Sequence, residues 1–164
     1  MRVLVGFFVL SLMLPVPFQV FAQELTKEQV AQIEAEVMEW AEAWMDGWEH
    51  DGETGCEANA ALVHPDYAVH LTGGEPQGRA GWLDYCKRTN ANIAGYSGSW
   101  TDMNVRVLSP DAAVFTGRWD GTFEYVSGLP RHYPAGAQLI LVERTADGWG
   151  LTLFENSSGP RAEG

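Results

Sequence analysis

A long amphipathic helix followed by an unbroken series of strands constrains this chain more than any other feature. Thr26 and Gln29 form a capping-box start. Val30, Ile33, Val37, Trp40, Trp44 and Trp48 then recur at three- and four-residue steps, which gives the helix one apolar face. Gly47, His50, Asp51 and Gly52 end it. In the C-terminal half, Asp102 to Leu108, Ala112 to Tyr125, Ala137 to Thr145 and Gly148 to Asn156 read as four successive strands. Between the two halves, Glu57 to Val63 reads as a short helix, Tyr67 to Thr72 as a strand and residues 73–78 as a turn-rich loop. Ala80 to Asn90 reads as a third helix, and Ala94 to Ser99 as a Gly/Ser connector. Helices first and an antiparallel meander after predict an α+β domain. Its curled antiparallel sheet wraps around the long N-terminal helix and leaves a concave, mostly apolar cavity.

The N-terminus sets the expected compartment. Arg2 precedes an apolar run from Val3 to Leu14, a Pro15 and Pro17 break, and Val20-Phe21-Ala22, which has the spacing a signal peptidase needs. Residues 1–22 therefore read as an export signal, 23–158 as the domain and 159–164 as a flexible tail. The apolar run is shorter than the about 20 residues of a spanning helix. A secreted or periplasmic protein with no membrane contact after signal removal is expected. One domain with one core suits the remaining 142 residues. Loss of Arg2 takes the formal charge from −12 to −13. Such an acidic surface repels phosphate backbones and argues against a nucleic-acid partner.

Cys56 and Cys86 are the only cysteines. In an exported chain a disulfide is the natural reading, closing a loop of about 30 residues for roughly 3 kcal/mol. Two free thiols are the alternative, and a catalytic Cys lacks a neighbouring His. The Trp40, Trp44 and Trp48 stripe is ordinary core packing, or a wall on which a ligand stacks; Trp82 on the third helix could join Trp40 and Trp44 there. His64, Asp66 and His70 are metal-ligand types, but a turn and a strand need not bring them together, and no metal or cofactor is expected. Asn156-Ser157-Ser158 is a glycosylation sequon if the source glycosylates.

The segments from Leu62 to Trp82, Val105 to Trp119 and Asp147 to Ser158 resemble the nuclear transport factor 2-like superfamily, in particular its bacterial SnoaL-like members. The marks are Gly78 before the third helix, the strand from Ala113 to Gly117, and Gly148-Trp149 opening the last strand. The resemblance covers about residues 25–158. It implies a cone-shaped sheet, a deep pocket, and dimers formed through the outer sheet face. The general-base position of ketosteroid-isomerase-like members falls on Leu71, which cannot accept a proton. The Arg-x-Asp of epoxide-hydrolase-like members matches Arg118-Trp119-Asp120. Their second carboxylate falls near Leu151, with Glu155 as the only replacement, and their water-holding tyrosine and asparagine fall near Ala68 and His70.

Arg118, Asp120 and Glu155 are thus the catalytic candidates, and Tyr67, His70, Trp40, Trp44 and Trp82 the ligand-binding ones. Residues two apart on a strand share a face. The resemblance places Arg118 and Asp120 inward, which turns Phe115, Trp119, Phe123 and Tyr125 outward as a homodimer surface. The opposite arrangement, with the rings buried and the charges solvated, stays open. Three functions fit: an exported pocket protein for a small, largely apolar molecule, a hydrolase or isomerase using carboxylate acid/base chemistry, and a structural dimer whose cavity is filled.

Overall fold

The computed structural model describes residues 25–49, 52–70, 78–128 and 130–157, without the side chains of 48, 49, 52–54, 70 and 130–135. The export signal, the tail, Leu71 and the 73–77 loop lie outside the described residues. Helix α1 spans Lys27–Glu49. It opens with the expected box: Gln29 N donates to Thr26 Oγ1 at 3.2 Å and Thr26 N donates to Gln29 Oε1 at 2.9 Å. The apolar stripe is buried as its spacing requires, with Ile33, Val37, Trp40, Ala41 and Trp44 all in the core.

Helix α2, Gly52–Ala61, starts earlier than expected and packs on α1. The Asn59 amide, fully buried, donates to the Trp44 carbonyl at 2.8 Å and ties the two helices together. A two-residue strand β1, Val69–His70, precedes helix α3, Arg79–Asn90. Cys56 on α2 and Cys86 on α3 form the expected disulfide, with Cα atoms 5.6 Å apart.

Strands β2 (Ile93–Ser109), β3 (Ala112–Tyr125), β4 (Pro130–Thr145) and β5 (Gly148–Ser157) form an antiparallel meander, and β1 adds to β5 in parallel. The resulting order is β1-β5-β4-β3-β2. The connector expected at Ala94 to Ser99 is instead the first half of β2, paired with Glu124 through Asp120. Glycine and serine are poor strand formers, but here their small size is what the pairing needs. Gly98 faces Gly121 directly across the ladder. A Cβ on Gly98 would reach within 2.9 Å of the Asp120 carbonyl, and one on Gly121 would come within 2.7 Å of the Trp119 ring.

Register shifts between Thr101 and Asn104 in β2, and between Trp119 and Gly121 in β3, bend the sheet. Asp102, in the first of these, has φ 52°. At one end α1 is clasped to the β4–β5 hairpin. Arg144 Nη2 and Trp149 Nε1 donate to the same Glu36 oxygen at 2.8 and 3.2 Å, and the guanidinium lies 4.4 Å over the Trp149 ring. Among the described residues no helix is long and apolar enough to cross a membrane.

Candidate functional site

Burial along β3 decides which face of the sheet is inner. Ala113, Phe115, Gly117, Trp119 and Gly121 are buried while Arg118 and Asp120 are exposed. The expectation that Arg118 and Asp120 point inward and the rings outward is therefore overturned. Both arrangements satisfy the alternation of the strand, and the apolar face of α1 captures the one that removes more ring surface from water. Phe115 and Trp119 are buried on the inner face, and Phe123 and Tyr125 are half-buried on the same side.

The inner face builds up in cross-strand rows. Phe115, Ile140 and Phe154 are aligned on β3, β4 and β5, and all three are buried. The next row is Gly117, Gln138 and Asn156, and beyond it lie Trp119 and Gly136. Gln138 Oε1 and Asn156 Oδ1 are both shielded from solvent and have no hydrogen-bond partner among the described residues. They are directly paired, so their Cβ atoms are about 5 Å apart. Two buried carboxamide oxygens side by side, in a wall otherwise made of rings and aliphatic side chains, are a polar anchor in an apolar surround. That is the composition of a small-molecule site.

An aromatic cluster extends this wall along β2 and β3. Tyr96 stacks on Trp119 with centroids 5.9 Å apart, and Phe123 lies 5.2 Å from Tyr96 and 5.5 Å from Trp119. Trp119 Nε1 donates to the Tyr96 hydroxyl. At the wall's other side Trp40, Trp44 and Trp82 belong to the core. Trp40 stacks on Trp44 at 5.8 Å, Trp82 packs on Trp44 at 5.3 Å, and Phe154 touches both Trp44 and Trp82. These rings fill space between α1, α3 and β5, as the packing reading of the stripe requires.

The remaining sequence candidates do not converge on the inner face. Arg118, with its side chain 53% exposed, lies 4.0 Å from Asp102 across the outer face. Glu155 pairs with exposed Leu139 and is on the outer face too. Arg118, Asp102 and Glu155 together line an outer groove of about 320 Å³ with Thr116, Ala137, Leu139 and Ser157, and Gly117 and Gln138 also border it. The Arg and the second carboxylate do come together, but on the solvent side, and Asp120 is not part of that groove. Tyr67 is exposed and its hydroxyl donates to Glu143, which holds the phenol above its usual pKa. His64 Nδ1 accepts from the Asp66 and Tyr67 backbone at 3.2 and 3.4 Å. The His70 side chain lies outside the described residues. No group of three or more His, Cys, Asp or Glu is placed to hold a metal among the described residues.

Gln138 and Asn156 went unrecognised in the sequence. The available signal is period two: Gln138 is two residues before Ile140, and Asn156 two after Phe154, so each continues an inward series with a polar residue.

No family model matches the sequence, and no curated protein matches it. Solved structures do. The chain is similar to a hexachlorocyclohexane dehydrochlorinase from Novosphingobium barchaimii, with 13% identity and a TM-score of 0.69 over 82% of this chain and 92% of that one. It is similar to a ketosteroid isomerase-like protein from Erwinia carotovora, with 17% identity and a TM-score of 0.67 over 83% of this chain and 100% of that one. It is also similar to a nuclear transport factor 2-like superfamily protein from Salmonella enterica, with 18% identity and a TM-score of 0.65 over 82% and 95%. With its long helix, two shorter helices and four-stranded antiparallel meander curled around them, the chain has the nuclear transport factor 2-like fold.

Proposed function

We propose that this chain is an exported pocket protein that binds a small, largely apolar molecule against the inner face of its sheet. The observation that carries the reading is the pair of buried, unpartnered oxygens on Gln138 and Asn156. Each such group costs about 1–3 kcal/mol if nothing bonds to it, so a folded protein keeps two together where something that donates a hydrogen bond comes to sit. Trp119, Phe115 and Phe154 supply the apolar contact around them. The apolar run at residues 3–14 and the Cys56–Cys86 bond support export.

A carboxylate acid/base enzyme is the competing reading. Its candidates Arg118, Asp120 and Glu155 would have to act on the outer face, away from the ring wall. The outer face also carries Val114, Leu141 and Leu153 in one row, beside Leu139, which is 42% exposed. This aliphatic strip supports a homodimer through the outer sheet face, in place of the aromatic surface expected from the sequence. Light scattering over a dilution series tests it, and a monomer at all concentrations excludes it.

The binding function is tested by titrating the oxidised domain with 4-propylanisole, a neutral apolar ring, while heat and Trp fluorescence are followed. Saturable one-site binding is expected, and Gln138→Phe, which removes the buried acceptor and adds a ring to the row, abolishes it. Absence of saturable binding, or binding undiminished in a folded Gln138→Phe variant, overturns the proposal.

A further inference from the structure

Resting on that reading, we infer that the pocket selects a neutral hydroxyl compound: the ligand's apolar ring lies on the Trp119, Phe115 and Phe154 wall and its O–H donates to one oxygen of the Gln138 Oε1 and Asn156 Oδ1 pair. The chemistry follows from what the two atoms can do. A carboxamide oxygen accepts and never donates, so the pair cannot bond to each other through these atoms. Each hydrogen that a ligand gives satisfies one of them. An ether or a carboxylate adds a further acceptor and leaves both buried oxygens unmatched.

Charge leads to the same class. Among the described residues of the sheet, Arg106 alternates with buried Val105 and so faces outward, Arg118 is exposed on the outer face, and Arg144 is held by Glu36 at the clasp. None of these three cations is on the inner face to match a carboxylate, and the side chain of Arg131, in register with Phe123, lies outside the described residues. An anion placed against the ring wall would be desolvated without compensation. Gly117, the third member of the row, has no side chain, and the Phe115 and Trp100 rings close over it, each 3.2 Å from where a Cβ would stand. The row therefore offers an acceptor pair on β4 and β5 beside rings from β2 and β3.

The test uses three matched ligands: 4-propylphenol, 4-propylanisole and 4-propylbenzoate, titrated calorimetrically into the oxidised domain. The phenol is expected to bind at least about tenfold tighter than the anisole, because a site built to bond a hydroxyl rejects the analogue without one. The benzoate is expected to bind more than about 100-fold more weakly than the phenol. In Gln138→Met and Asn156→Leu, which keep volume and remove the oxygen, the phenol-to-anisole ratio should fall toward one while anisole affinity holds. Equal binding of phenol and anisole to the wild type overturns the hydroxyl inference but leaves the pocket reading standing, provided Gln138→Phe still abolishes both. Tighter anisole binding means the carboxamides present their N–H groups instead, and also overturns it. Preferred binding of the benzoate does the same. If none of the three binds, the pocket reading falls with it.

Discussion

Replacing Gly47 by alanine separates helix propensity from tertiary packing, because the two predict opposite signs. Near the end of a helix the change is worth up to about 1 kcal/mol of stabilisation. In this fold a Cβ on residue 47 would lie 2.4 Å from Asn59 Nδ2 and 2.8 Å from Asn59 Cγ, closer than side-chain carbons approach. Asn59 has little room to retreat: it is fully buried, and its amide is bonded to the Trp44 carbonyl at 2.8 Å. Overpacking costs about 1–3 kcal/mol, and loss of that bond adds about 1 kcal/mol. After the propensity gain, Gly47→Ala should destabilise by about 1–3 kcal/mol. Urea unfolding with the disulfide intact reads this as a lower midpoint at unchanged slope, and heating as a fall of roughly 3–10 °C in Tm. In the Asn59→Ala background the same substitution meets no amide, so the double variant should be more stable than the sum of the singles by at least about 1 kcal/mol. A Gly47→Ala protein as stable as the wild type, or strict additivity in the cycle, refutes the contact as the reason for glycine.

The inner placement of Trp119, 7% exposed, predicts that Trp119→Glu unfolds the domain, at a cost of about 3 kcal/mol or more for an unpaired carboxylate among rings; a folded monomer with intact near-UV dichroism would return that ring to the outer face. Asp120→Asn, on the exposed face, should change stability by less than about 0.5 kcal/mol and leave 4-propylphenol affinity unaltered, and a tenfold loss would contradict its placement. Glu36 is held below its ordinary pKa of 4.5 by hydrogen bonds from Arg144, then Gln32 and Trp149. A depressed folded value means the stabilisation is present above about pH 4.5 and lost as the pH falls through that lower value. With the carboxylate about a third exposed, the effect should not exceed about 1 kcal/mol. Glu36→Gln should show a smaller drop in Tm between about pH 6 and about pH 3 than the wild type, and an equal drop would remove Glu36 as a source.

The sequence by itself determined the elements whose cause is local. The Thr26–Gln29 box starts α1 where the residues require, and β3 occupies the predicted Ala112 to Tyr125 because its apolar and β-branched alternation needs no partner to be recognised. The Asp147-Gly148 turn, with Gly148 at φ 117°, closes the last hairpin, and the two cysteines of the chain form the expected bond. Tertiary structure decided what depends on pairing at a distance. Gly95 to Ser99, glycine and serine apart from Tyr96, have weak strand propensity and become β2 because Asp120 to Glu124 lie beside them and the Tyr96 and Trp119 rings need glycines to pack across. The face of β3 was undetermined for a simple reason: a period of two is the same read from either side, and only the apolar stripe of α1 breaks the tie. Gln138 and Asn156 are ordinary polar residues one by one, 18 positions apart in the chain. The β4–β5 register that sets them opposite each other, on the side the helix shields from water, makes them a site.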